Sequence, residues 1–101
     1  MVKVMGREAG ALLNNVPDEY VFYLNDGRIL RNMEELKDAL KSMSDELYAY
    51  PVNAEKNDFS NWVSDIICDE KLAMDLLKSK DRAQSYRVVA QRIAFLKPKG
   101  R

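Results

Sequence analysis

The chain has 101 residues, 16 Lys+Arg against 16 Asp+Glu, and 47% hydrophobic content, so its formal net charge is zero. A chain of this size supports one domain with one modest core. Neutrality argues against a dedicated polyanion binder, and no apolar run approaches the roughly 18–20 residues needed to cross a bilayer.

The first thirteen residues are interrupted by Gly6, Arg7, Glu8 and Gly10, which is not the pattern of a signal-peptide core. Residues 1–15 lack periodicity and read as a poorly ordered lead-in, residues 16–97 as a single globular domain, and residues 98–101 as a basic tail. After Pro17, Tyr20 to Leu24 is rich in β-formers. Asn25-Asp26-Gly27-Arg28 is a turn signal with a glycine suited to positive φ, and Arg28 to Arg31 can return as a second strand. The spacing predicts a β-hairpin over 20–31, which must pack on helices because two strands alone are marginal.

Asn32 with Glu35 forms a capping pair. The helix it opens carries Met33, Leu36, Leu40 and Met43 on one stripe. Ser44-Asp45-Glu46 can start a further turn carrying Leu47. Tyr48, Tyr50, Pro51 and Val52 break the pattern, and Asn53 to Lys56 reads as a polar bridge. Next comes Asn57-Asp58-Phe59-Ser60-Asn61-Trp62, which holds the only tryptophan. It leads a stripe of Phe59, Trp62, Val63, Ile66 and Ile67, one face of a helix over about 57–67. Asp69 caps a helix with Leu72, Ala73, Leu76 and Leu77 inward. Asp81 with Gln84 opens a last helix with Tyr86, Val89, Ala90, Ile93 and Leu96 inward, ended by Pro98 and Gly100. The fold class expected is α+β and mostly helical, an N-terminal hairpin packed against four to five short helices.

Three segments together are similar to a family of small uncharacterised prokaryotic domains, common in archaea. They are Phe22 to Arg28 with its Asp-Gly-Arg turn, Leu40 to Glu46 with its Ser-Asp-Glu stretch, and Val52-Asn53 through Asn57 to Val63 with its Asn-Asp-Phe-x-x-Trp block. The resemblance spans residues 20–78. It implies the fold and a prokaryotic, cytoplasmic origin, and it carries no activity. Pro51 stands where the family often has a histidine.

The chain has no histidine and one cysteine, Cys68. Ser-His-Asp and Cys-His chemistry within one chain are therefore excluded, and a structural zinc site has too few ligands. No Asp-rich loop has calcium-hand spacing. The expectation is a non-enzyme with no catalytic residues, no metal and no cofactor. A lone cysteine fits a reducing, cytoplasmic setting, and burial as a small hydrophobe is its default.

The binding candidates are Asp26, Arg28, Tyr48, Tyr50, Asn57 and Asp58. Asn57 or Asp58 serves as a helix cap, and an Asp58–Arg28 pair bridging the hairpin turn to the tryptophan helix is one hypothesis. Tyr48 and Tyr50, if exposed, offer a partner surface. Charge is also uneven along the chain. Residues 1–68 hold 7 Lys+Arg and 12 Asp+Glu, and residues 69–101 hold 9 and 4, so the halves carry −5 and +5. Arg82 lies off the row of Arg87 and Arg92; with Lys97 and Lys99 the last two make a basic face. The leading expectation is a protein-interaction or regulatory module, binding a protein partner or itself. The alternative is a nucleic-acid-binding accessory domain using the basic C-terminal helix, and no membrane partner is expected.

Overall fold

Periodic apolar residues, capping side chains and a turn glycine build a mostly helical α+β fold with two small hairpins. The computed structural model describes the backbone of residues 10–100 and the side chains of residues 10–97. A helical stretch over 10–13 comes first, with Leu12 and Leu13 packed on the core. Part of the expected lead-in thus has a role, and residues 1–9 lie outside the described residues. A single 3-10 turn, Asp18–Tyr20, precedes β1 (Phe22–Tyr23) and β2 (Ile29–Leu30). These pair antiparallel with Phe22 opposite Leu30 and Tyr23 opposite Ile29. The connection is a three-residue loop: Leu24 N–H bonds Arg28 O, Gly27 N–H bonds Leu24 O, and Gly27 sits at φ 97°. That positive φ is why the turn needs a glycine.

Helix α1 (Met33–Ser42) starts on Asn32, whose side chain accepts from Glu35 N–H. Met33, Leu36, Ala39, Leu40 and Met43 are buried. The short α2 (Asp45–Tyr48) is capped by Ser44. The polar bridge expected next is instead a second hairpin, β3 (Val52–Asn53) paired with β4 (Lys56–Asn57). Its strands are two residues long, below what alternation along a sequence can signal.

Helix α3 (Asp58–Trp62) continues into a π turn, Val63–Ile67. Cys68 ends it in the left-handed region at φ 70°, and both Cys68 and Asp69 donate their N–H to Val63 O. Cys68 is exposed, contrary to the burial expected of it, because the left-handed terminus faces it outward. Helix α4 (Glu70–Lys78) follows. Leu72, Ala73 and Leu76 are buried, whereas Leu77, expected inward, is 61% exposed. Leu77 lies about 100° round the helix axis from Leu76, past the edge of the face that 72, 73 and 76 present to the core.

Helix α5 (Arg82–Gly100) begins after Asp81, whose side chain accepts from Gln84 N–H. It buries Ser85, Val89, Ile93 and Leu96. The helix does not stop at Pro98; the missing N–H costs one bond, the one to the Ala94 carbonyl, close to the helix end. Its main partner is α1, and α4 packs against α5 and α3.

Around Phe59, which is fully buried, stand Phe22 at 5.0 Å and Tyr48 at 6.2 Å between ring centroids. Trp62 meets Phe22 edge-on at 5.7 Å, and its indole N–H donates to Tyr20 O at 2.8 Å. This junction ties the first hairpin to α2 and α3. Phe59→Ala is expected to lower stability by about 3–5 kcal/mol. Chemical denaturation checks it; a loss near zero would mean the rings are not the centre of the core.

Candidate functional site

Asp26 and Arg28 occupy the first hairpin's turn. Asp26 accepts the Arg28 main-chain N–H at 3.0 Å and its Nε–H at 2.9 Å. The main-chain bond is the larger cause of a pKa below the usual aspartate value, with the guanidinium adding to it. Arg28 Nη1 donates to Ser42 Oγ at 2.7 Å. Asp58 instead pairs with Lys56 Nζ at 2.9 Å. The Asp58–Arg28 bridge is therefore not formed: α1 supplies Arg28's second partner, and the second hairpin supplies Asp58's. Asn57, not Asp58, caps α3. It accepts from Ser60 N–H at 3.0 Å and donates to Leu76 O at 3.2 Å. With the buried Ser60 hydroxyl donating to Ala73 O at 2.8 Å, it fastens α3 to α4.

The two tyrosines part company. Tyr48 is buried and shares a 2.7 Å hydrogen bond with the Ser85 hydroxyl, which joins α2 to α5. Burial raises its pKa, and the Ser85 bond offsets part of that rise. The condition for a partner surface, exposure, is not met at Tyr48, because Phe59 and Ser85 hold its ring inward. Tyr50 is 59% exposed.

Two residues of the expected basic face, Arg92 and Lys97, are paired within the molecule. Arg92 makes a two-pronged pair with Asp69, Nε to Oδ2 at 2.8 Å and Nη2 to Oδ1 at 3.1 Å. The Asp69 side chain is 1% exposed, and it also accepts from Leu72 N–H as the cap of α4. Arg92 lies 5.4 Å from the Phe95 ring centre. Lys97 Nζ reaches Glu34 at 2.8 Å. Arg82, off the face, bonds Asp45 at 2.9 Å and the Leu40 carbonyl at 2.8 Å, closing the C-terminal end of α1. Arg87 is exposed and has no ion pair among the described residues. The Lys99 side chain lies outside the described residues.

Nothing in local patterning reveals that Arg92 belongs to Asp69 or Arg82 to Asp45, since the partners lie 23 and 37 residues apart. The caps were the visible half of these arrangements. Ser60 and Ser85, both buried, were silent in the sequence because an inward serine breaks an apolar stripe without announcing a partner.

Among the described residues, every buried side-chain nitrogen or oxygen has a hydrogen-bond partner, and no group of three metal-ligating side chains comes together. No helix there is long and apolar enough to cross a membrane. A shallow groove of about 210 Å³ lies between β2 and α1. Arg28, Ile29 and Leu30 line its strand side, and Glu35, Asp38, Ala39 and Ser42 its helix side. Asp58 is not part of it. Comparison with known proteins returns no matching family model, no matching curated protein and no matching solved structure.

Two of these ion pairs lend themselves to direct tests. Removing either partner of the Asp69–Arg92 pair strands a buried charge or its cap, so Asp69→Ala is expected to cost about 3–5 kcal/mol. In a double-mutant cycle with Arg92→Ala the losses should fall short of additivity by about 1–3 kcal/mol; additive losses would show the pair to be unimportant. Glu34 is held below its ordinary 4.5 by hydrogen bonds from Lys97 first and Lys37 second. A depressed carboxylate contributes stability that is present above its unfolded pKa and lost as pH falls through the folded one. Glu34→Gln should therefore flatten the acid limb of the stability profile below about pH 4.5. Equal acid limbs in the two proteins would refute the assignment.

Proposed function

We propose that this chain is a non-catalytic protein-interaction or regulatory module whose contact surface is the outward face of the first hairpin. The observation that carries this reading is the Tyr23–Ile29 cross-strand pair, 67% and 37% exposed, while their neighbours Phe22 and Leu30 turn inward. Side chains on one face of adjacent strands stand together, so the two form a continuous apolar surface. Tyr20, three residues earlier, is 51% exposed. Tyrosine is enriched at protein interfaces because it offers a large rigid apolar body with a polar tip.

Charge supports the same choice over the alternatives. The opposed halves of the sequence meet inside the fold through Arg82–Asp45 and Lys97–Glu34. Less net charge of either sign is then left to drive self-association or phosphate binding. Among the described residues of the α5 basic face, Arg92 and Lys97 are already paired, which leaves Arg87 for a nucleic-acid interface.

The test is capture of the tagged protein's partners from its native lysate, with and without nuclease, using the wild type and Tyr23→Ser. A nuclease-resistant protein that is lost with Tyr23→Ser is the expected result. Recovery that vanishes with nuclease, or that is indifferent to Tyr23→Ser, would overturn the reading.

A further inference from the structure

The edge of β2 that faces away from β1 is open at Ile29. Because Leu24 and Arg28 form a bonded pair, Phe22 and Leu30 form the next, and Tyr23–Ile29 between them is a non-bonded pair. Ile29 therefore turns its own N–H and C=O away from β1, and neither has a hydrogen-bond partner among the described residues. Two residues on, the same edge is in use: Arg31 O accepts from Val16 N–H at 2.8 Å. Leu30 sends its side chain into the core and Ile29 sends its own toward solvent. A groove touched by both residues and by α1 must run along the strand edge.

We propose that this groove takes an extended segment of a partner protein, which joins β2 as an added strand and places a basic side chain against α1. This rests on the protein-interaction reading above and names the kind of partner. An unpaired strand edge is complementary to another extended backbone before it is complementary to anything else. The Val16–Arg31 bond shows that a chain already lies at bonding distance from this edge, and the open stretch at Ile29 continues it. Leu30 and Ala39 give the groove an apolar floor. Its helix wall carries two carboxylates: Asp38, 72% exposed with Lys37 at 3.9 Å, and Glu35, whose Oε1 accepts from the Arg31 main chain at 2.8 Å and lies 3.6 Å from the Arg31 guanidinium. Glu35 Oε2 has no hydrogen bond among the described residues. With Glu35 paired to Arg31 and Arg28 bonded to Ser42 at the groove's other end, the exposed Asp38 is the group that favours a cationic side chain on the incoming segment.

The probe is a six-residue peptide of alternating valine and lysine, blocked at both ends, titrated into the isotope-labelled protein. The expected result is a saturable shift of the Ile29 and Ala39 amide signals. The same peptide N-methylated at alternate residues should bind about tenfold more weakly, the effect of losing one or two main-chain hydrogen bonds. Glutamate in place of lysine should weaken binding as well. Ile29→Pro removes the edge donor and leaves the bonded pairs of the hairpin, so it should abolish the Ala39 shift. If that variant does not fold, the N-methylated peptide decides alone. Absence of a saturable shift, or equal binding of the N-methylated peptide, overturns the proposal. Should the peptide fail while Tyr23→Ser still abolishes partner capture, the strand-addition proposal falls and the hairpin-face reading stands.

Discussion

The burial of Phe59 is the constraint on which the other elements depend. Its ring is fully excluded from solvent and has Phe22 of β1 and Tyr48 of α2 for neighbours. Two hairpins of two residues per strand have too few ladder bonds to persist in water by themselves. The first is stable because Phe22 is packed between Phe59 and Trp62, and because the indole N–H holds the Tyr20 carbonyl. The π turn after Trp62 serves the same junction. By widening one turn it lets Ile67 reach the core, which brings Asp69 to the start of α4 with its carboxylate toward α5.

Polar groups specify how the helices meet. Ser60 and Asn57 each bond a carbonyl of α4, Tyr48 bonds Ser85 of α5, and Arg82 reaches carbonyls at the end of α1. Each of these fixes an angle or register that apolar contact alone leaves loose. Asp69 does two tasks with one carboxylate, capping α4 and receiving Arg92. A buried ion pair of this kind is a better device for specificity than for stability, since its attraction is set against the desolvation of both charges.

The helices, their caps and most of the core could be read directly along the chain. Asn32, Ser44, Asp69 and Asp81 each cap the helix expected of them, because a cap is a contact over three residues and leaves a local signature. The stripe from Phe59 to Ile67 was legible for the same reason. The second hairpin was not, since Val52–Asn53 and Lys56–Asn57 are too short to alternate. Leu77 was misplaced, and the sequence leaves the exposure of Tyr48 open, because their burial depends on what packs beside α4 and α2. The candidate site was less legible than the fold. Asp26 and Arg28 do meet, but through turn chemistry, and the partners of Arg82, Arg92 and Lys97 come from distant segments. The hairpin's exposed pair follows from alternation once the register is known, and the turn signal Asn25-Asp26-Gly27-Arg28 marks the loop without giving its length of three residues, which sets that register.

The dependence of the core on α5 has a consequence for how the chain reaches its fold. The longest helix, Arg82–Gly100, is also the last described element in the chain, and its main contact is with α1, the first long one. Met33, Leu36 and Leu40 therefore have no complete cover until Val89, Ile93 and Leu96 have been synthesised and have cleared the ribosome. Hairpins and short helices can form transiently before then, but the apolar face of α1 stays open to solvent until α5 arrives. Folding is then a late and collective event, closed by the arrival of one helix. Through that interval the nascent chain presents the apolar face of α1 to whatever binds emerging polypeptides.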